Sequence, residues 1–184
     1  VSLDSTLAGV IEPEQESKRL MALDLMMKSR ESLEAEEDKV QEALSSFQAA
    51  RRLYPGMGVS ANFWHELCRT GIQHAHAADV IEACGKAVIS DPKDGRFYDS
   101  RAMSRVLSGG DLTAAVSDFE KFIAWANSKP VGYLFTEGSM SKWAKKREQC
   151  VADLKLQATQ EDSDNQTSGP AELSEACGFF EFED

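Results

Sequence analysis

The 184-residue sequence predicts an all-α protein, an α-solenoid of about three helical hairpins followed by a C-terminal capping helix. Three observations predict this fold class. Apolar residues recur at i, i+3 and i+4, while the alternating pattern of half-buried strands is missing. Short breaks rich in Gly, Pro and Asp separate the periodic segments. These segments come in pairs that repeat every 35 to 37 residues.

Two helices make up the first predicted hairpin, over residues 14–35 and 39–54. Pro13 favours a helix start immediately after it, because proline fits the first helical turn. Pro55 ends the second helix, since the residue before a proline avoids helical backbone angles. The helical stripe of the first helix runs through Leu20, Leu23, Met27, Arg30 and Leu33, with Arg30 as its exception.

The middle and third hairpins follow the same plan. Helices are predicted over 61–73 and 77–90, with Ser60 as the N-cap of the first of them. The segment DPKDG ends this hairpin. The next two helices span 96–108 and 112–126, and a GGD break separates them.

A polar helix at about 140–156 is expected to cap the stack of hairpins. Trp143, Cys150 and Leu154 fall near one of its faces, whereas its lysines and Arg147 are expected to remain outside. A cap is needed because each hairpin can bury its apolar face only against a neighbour.

The predicted helical domain, residues 14–157, lies between an N-terminal extension at 1–13 and an acidic tail at 158–184. The net charge is −11, and the tail holds eight acids but no Lys or Arg, so the remainder carries −3. Both flanking segments are expected to be flexible, and the composition of the tail predicts disorder. Neither part has the basic stripe that a phosphate backbone requires, so we do not expect a nucleic-acid partner.

Three segments resemble the tetratricopeptide repeat family, whose 34-residue unit pairs two antiparallel helices. The matching residues are Ala43, Phe47, Ala50 and Pro55 in the first repeat, Trp64, Leu67, Ala87 and Pro92 in the second, and Ala115 and Phe119 in the third. The repeats span about 24–57, 61–94 and 96–128. The chain also looks like tetratricopeptide-type modules of bacterial multidomain signalling proteins.

The resemblance implies a concave groove lined by the first helix of each repeat. Its implied partner-binding residues are Lys28, Asn62, His65, Arg69, Phe97 and Arg101. Such a mixture of polar and basic side chains suits an extended peptide or a carboxylate, so the expected partner is a protein or peptide, preferably acidic.

The stretch TGIQHAHAADVIEACGK, from Thr70 to Lys86, raises the question of a metal site. His74, His76 and Asp79 are weak candidate ligands, because a His-x-His pair binds zinc only when further ligands converge on it. The repeat register instead places the two histidines at the corner between two helices, and an acid such as Asp79 favours a helix start. An ordinary turn is the preferred interpretation, and no cofactor is expected.

The four cysteines are widely spaced and form no C-x-x-C pair. No signal peptide is expected from the N-terminal sequence, and no apolar run reaches the ~18 residues of a membrane span. We therefore expect free thiols, a reducing compartment and a cytoplasmic location. Cys68 and Cys84 are expected to be neighbours within the middle hairpin.

Catalytic signatures are absent from the sequence, including a phosphate-binding Gly-rich loop, H-E-x-x-H and G-x-S-x-G. We predict a protein that is not an enzyme but a scaffold or adaptor for protein binding. Two alternatives stay open: a regulatory segment of a larger multidomain enzyme or signalling protein, and a metal- or redox-sensing helical module. The ending CGFFEFED suggests a linear motif that docks in the chain's own groove or in that of a second copy.

Overall fold

A computed structural model describes residues 12–35, 39–130, 139–160 and 177–178, and these residues contain seven helices and no strand. The all-α prediction is therefore confirmed. The helices are α1 Pro13–Glu34, α2 Val40–Leu53, α3 Ala61–Gln73, α4 Ile81–Ser90, α5 Gly95–Leu107, α6 Leu112–Asn127 and α7 Ser139–Gln160. None of these described helices is long and apolar enough to cross a membrane.

The chain divides into two compact units, Val1–Val59 and Ser60–Asp184. The division falls between the predicted first and second repeats, inside the segment 14–157 that the sequence predicts as one domain. The predicted extension and most of the acidic tail lie outside the described residues.

In the first unit, α1 packs against α2, and of the apolar residues in the predicted stripe only Leu33 is buried, whereas Leu20, Leu23 and Met27 are exposed. Ala22 and Ser29 are fully buried, and the Ser29 hydroxyl donates a hydrogen bond of 2.8 Å to the Ala43 carbonyl. Leu20 and Met27 are 54% and 63% exposed. Small side chains such as Ala22 and Ser29 allow the two helix backbones to approach closely. The face that carries them is therefore buried, and Leu20 and Met27 remain exposed.

In the second unit, α3 packs against α4, α5 against α6, and α6 against α7, while α5 also contacts α3 and α4. Side-chain caps begin three of these helices. Ser60 accepts a hydrogen bond from the Phe63 backbone N–H, which confirms its predicted role as N-cap, and Asp94 and Asp111 cap α5 and α6.

Aromatic packing joins α6 to α7. The Phe122 ring lies 4.6 Å from the Trp143 ring and 6.1 Å from the Trp125 ring, measured between centroids. Ala126 and Ala144 are buried beside them, so two small residues make room for three large rings.

Arg147 on α7 is buried, contrary to the prediction that it remains outside. Only 1% of the residue is exposed, and it makes a two-point ion pair with Asp99 of α5, with N–O distances of 2.5 and 3.2 Å. Its Nη1 donates to the carbonyls of Cys177 and Gly178, and its guanidinium lies 5.2 Å from the Phe119 ring centroid. The prediction is wrong because the periodicity of one helix does not indicate which distant residues contact it. The partners of Arg147 come from α5 and from the segment at residues 177–178.

The tail prediction is also wrong at one point. Cys177 is fully buried and forms a disulfide with Cys150 of α7, so the chain returns to the helical unit after leaving α7. The composition of the tail favours disorder, but a covalent bond and the Arg147 hydrogen bonds fix this part of it.

Close packing of α3 on α4 at Gly71 generates a first prediction. A Cβ atom at Gly71 would overlap with the Val80 side chain, which is fully buried, whereas a Cβ at Gly85 of α4 meets nothing within 4 Å. We expect Gly71→Ala to lower the free energy of unfolding by about 1–3 kcal/mol through overpacking. Gly85→Ala should raise it by about 0.5–1 kcal/mol, since alanine favours the helix. Urea denaturation measures both, and equal effects would contradict the packing.

The Arg147–Asp99 pair generates a second prediction. We expect Asp99→Asn to lower the free energy of unfolding by about 3–5 kcal/mol, because it leaves a buried guanidinium without its counter-charge. The double variant Asp99→Leu, Arg147→Met should recover much of this loss. The control is the exposed pair of Lys155 and Glu120, 2.7 Å apart, where Glu120→Gln should cost less than about 1 kcal/mol. A small effect of Asp99→Asn in urea denaturation would contradict the burial of the pair.

Candidate functional site

The candidate site is the polar face of α3, whose predicted residues Asn62, His65 and Arg69 recur at helical spacing. The opposite face of the helix carries Trp64 and Leu67, which are 7% and 1% exposed, and this packing fixes the orientation of α3. The three polar residues therefore lie on one rigid surface.

His65 joins this face to α5 and does not stand open to solvent. Its Nε2 lies 2.9 Å from the Ser100 hydroxyl, and its ring centroid lies 4.8 Å from that of Phe97. The imidazole is half-buried between the two helices. Its main contacts are therefore within the protein, and only its outer part borders the candidate surface.

The pKa of His65 is lowered from 6.5 to about 4, and burial of the ring is the largest cause. The neighbouring charges of Arg96 and, to a smaller extent, Arg69 also lower this pKa, whereas Asp94 raises it. His65 is therefore neutral at physiological pH, and Arg69 is the cationic member of the predicted α3 trio.

Arg69 and Asn62 are both exposed on the α3 face. Within the described ranges, Arg69 has no hydrogen bond or ion pair with another residue. A guanidinium with all of its donors available can bind a carboxylate with two parallel hydrogen bonds. Of the predicted partner-binding residues in the second unit, these two have exposed side chains.

The prediction that Phe97 lines a partner-binding groove is wrong. Its side chain is among the largest that are fully buried, with only 1% exposed, and it packs against His65. An apolar ring at the contact of two helices gains more from burial than from exposure in a groove.

Arg101 is already engaged by Asp118 of α6. Two hydrogen bonds of 2.7 Å join them, and this pairing is the main cause that raises the pKa of Arg101. Arg105 makes a second ion pair to the same carboxylate, and the Lys121 ammonium lies 3.9 Å from it. Three cations around one acid leave net positive charge here, but Arg101 serves mainly to join α5 to α6.

Lys28 belongs to the other unit, on α1, and its ammonium lies 3.6 Å from a Glu42 carboxylate oxygen of α2. The described contact of Lys28 thus lies within the first unit. A role for Lys28 in partner binding stays a prediction.

The weak metal candidates form a turn. His74 ends α3 as its C-cap, and the His76 Nδ1 lies 2.9 Å from an Asp79 carboxylate oxygen. Where side chains are described, no group of three or more His, Cys, Asp or Glu is arranged to hold a metal ion. Ala75 between the two histidines has a positive φ of 63°, a conformation that an L-residue adopts at some energetic cost.

The prediction of free thiols is wrong. Cys68 is bonded to Cys84 and Cys150 to Cys177, and no cysteine remains free. The expected proximity of Cys68 and Cys84 is confirmed, with a Cα–Cα distance of 4.9 Å. The even number of cysteines is the sequence signal that favours such pairing. The disulfide joins α3, which carries the candidate face, to α4.

Comparison of the chain with protein-family models, curated proteins and solved structures finds no match. The tetratricopeptide resemblance therefore stays a prediction based on its residues, and the site is interpreted from its own geometry.

The lowered pKa of His65 generates a third prediction. Above pH 6.5 the histidine is neutral in both states. As the pH falls towards 4, the unfolded chain binds a proton that the folded protein does not, so stability declines. Between pH 7 and pH 5 this loss is at most about 2 kcal/mol, because the unfolded chain binds the proton from about pH 6.5 downwards and each further pH unit contributes about 1.4 kcal/mol.

We expect His65→Gln to remove this part of the decline in the free energy of unfolding. Urea denaturation at the two pH values measures it. Asn62→Ala, an exposed and non-titrating change on the same helix, should keep the decline of the wild type. If His65→Gln declines as the wild type does, the histidine is not held neutral by the fold.

Proposed function

We propose that this protein is a scaffold or adaptor module that binds an acidic peptide or partner helix through the polar face of α3. The observation that carries the proposal is Arg69, an exposed cation with no ion pair among the described residues, beside exposed Asn62 on the same face. A carboxylate of the partner would pair with the guanidinium, and Asn62 would supply an amide for its backbone.

Rigidity of the α3 face supports a binding role. The Cys68–Cys84 disulfide fixes α3 to α4, and His65 fixes it to α5 through Ser100. A preformed surface loses little conformational entropy when a partner binds, so a few contacts suffice for useful affinity.

The two disulfides favour a different compartment from the one that the sequence predicts. The sequence predicts free thiols in a reducing, cytoplasmic compartment, whereas the structure has two disulfides. Buried structural disulfides are typical of proteins that mature under oxidising conditions. We therefore place this binding module in an oxidising environment.

Charge reversal at Arg69 tests the proposed function. Phage display against the wild-type protein would select acidic peptides, and fluorescence polarisation would measure their dissociation constants. We expect Arg69→Glu to weaken binding by about tenfold or more, since like charges then face each other. Lys93→Glu, an exposed change of the same charge in the loop before α5, should keep wild-type affinity. Equal affinity of Arg69→Glu and the wild type would overturn the assignment.

A further inference from the structure

A cavity of about 310 Å³ lies at the corner between α3 and α4. Its walls include apolar side chains from two helices, Ile72 of α3 and Met103 and Leu107 of α5. Gly178, from the segment after α7, also lines it. This volume is at the lower end of the range for ligand pockets, so it suits a single large side chain better than an extended ligand.

The corner that forms the cavity is held in one conformation. Ala75, which lines it, has the positive φ of 63°, and the Ser104 hydroxyl of α5 donates a 2.7 Å hydrogen bond to the Ala77 carbonyl. Ser104 is fully buried. Strained backbone persists only where the surrounding contacts determine it, and such positions cluster at binding sites.

Gly178 is held beside the cavity by a disulfide and by hydrogen bonds. The disulfide of the preceding Cys177 fixes it to α7, and Arg147 donates hydrogen bonds of 2.6 and 3.1 Å to the carbonyls of residues 177 and 178. Phe179 and Phe180 follow directly in the sequence. Because consecutive Cα atoms are about 3.8 Å apart, these phenylalanines begin within reach of the cavity.

We propose that the cavity is an aromatic-binding pocket and that its occupant is a phenylalanine ring from the Phe179–Phe180 pair of the same chain. A buried aromatic ring offers a large apolar area, and the Met103 thioether is a favourable contact for it. The C-terminal segment thus acts as an intramolecular ligand. This site is separate from the α3 surface residues Asn62 and Arg69, and either assignment can fail without the other.

The test uses the full chain labelled with ¹³C at its methionine methyl groups, of which the sequence has six. We expect nuclear Overhauser cross-peaks between the Met103 methyl group and aromatic ring protons. Phe179→Leu or Phe180→Leu should abolish those of the ring that occupies the pocket, and the double variant should lose them completely. Phe182→Leu, a matched control two residues further on, should leave them unchanged.

Two internal checks make the outcome decisive. Met140 is buried in the α6–α7 aromatic cluster, so an unchanged Met140 methyl signal shows that a variant is folded. The cross-peaks should persist on dilution, because the ligand is part of the same chain. The proposal is overturned if the double variant keeps the cross-peaks, if Phe182→Leu alone removes them, or if dilution removes them, which would indicate the segment of a second copy.

Discussion

A single buried cation, Arg147, determines how the second unit closes. Removing a guanidinium from water costs several kcal/mol unless its donors are satisfied. Here Asp99 supplies the counter-charge, and two carbonyls of the segment at Cys177 and Gly178 accept from Nη1. The hydrogen bonds of Arg147 are therefore complete only when α5, α7 and the C-terminal segment meet. The same side chain helps to hold all three segments together.

Helix α5 connects the Arg147 ion pair to the candidate site on α3. Its buried polar residues face different partners: Asp99 faces α7, Ser100 faces α3, and Ser104 faces the α3–α4 corner. Arg101 faces α6. Because each of these groups must keep its hydrogen bond when buried, α5 has little freedom to rotate. The α3 face inherits this fixed orientation, which is what a preformed binding surface requires.

Sequence reasoning predicted the helices well, because their signals are local. Ser60 caps α3 as expected, and periodicity with Gly and Pro breaks located all seven helices to within a few residues. It failed where the deciding contact is distant in sequence. Arg147 pairs with an acid 48 residues away in the sequence. In α1, Leu20 and Met27 are exposed while Ala22 and Ser29 are buried against α2, a contact that the periodicity of α1 alone does not contain. On the α3 surface, helical spacing predicted that Asn62 and Arg69 lie on one face. It did not predict that His65, on the same face, is half-buried between α3 and α5.

The two disulfides act on different problems. Cys68 and Cys84 join helices that already pack as a hairpin, so this bond reinforces a contact that the helices make by themselves. The Cys150–Cys177 bond fixes a segment whose two described carbonyls also accept hydrogen bonds from Arg147. The bond lowers the conformational entropy of the unfolded chain. It therefore favours the folded arrangement, in which the hydrogen-bond donors of Arg147 have their partners. Covalent and ionic constraints thus depend on each other at the C-terminal segment, whereas at α3–α4 the covalent bond only adds rigidity.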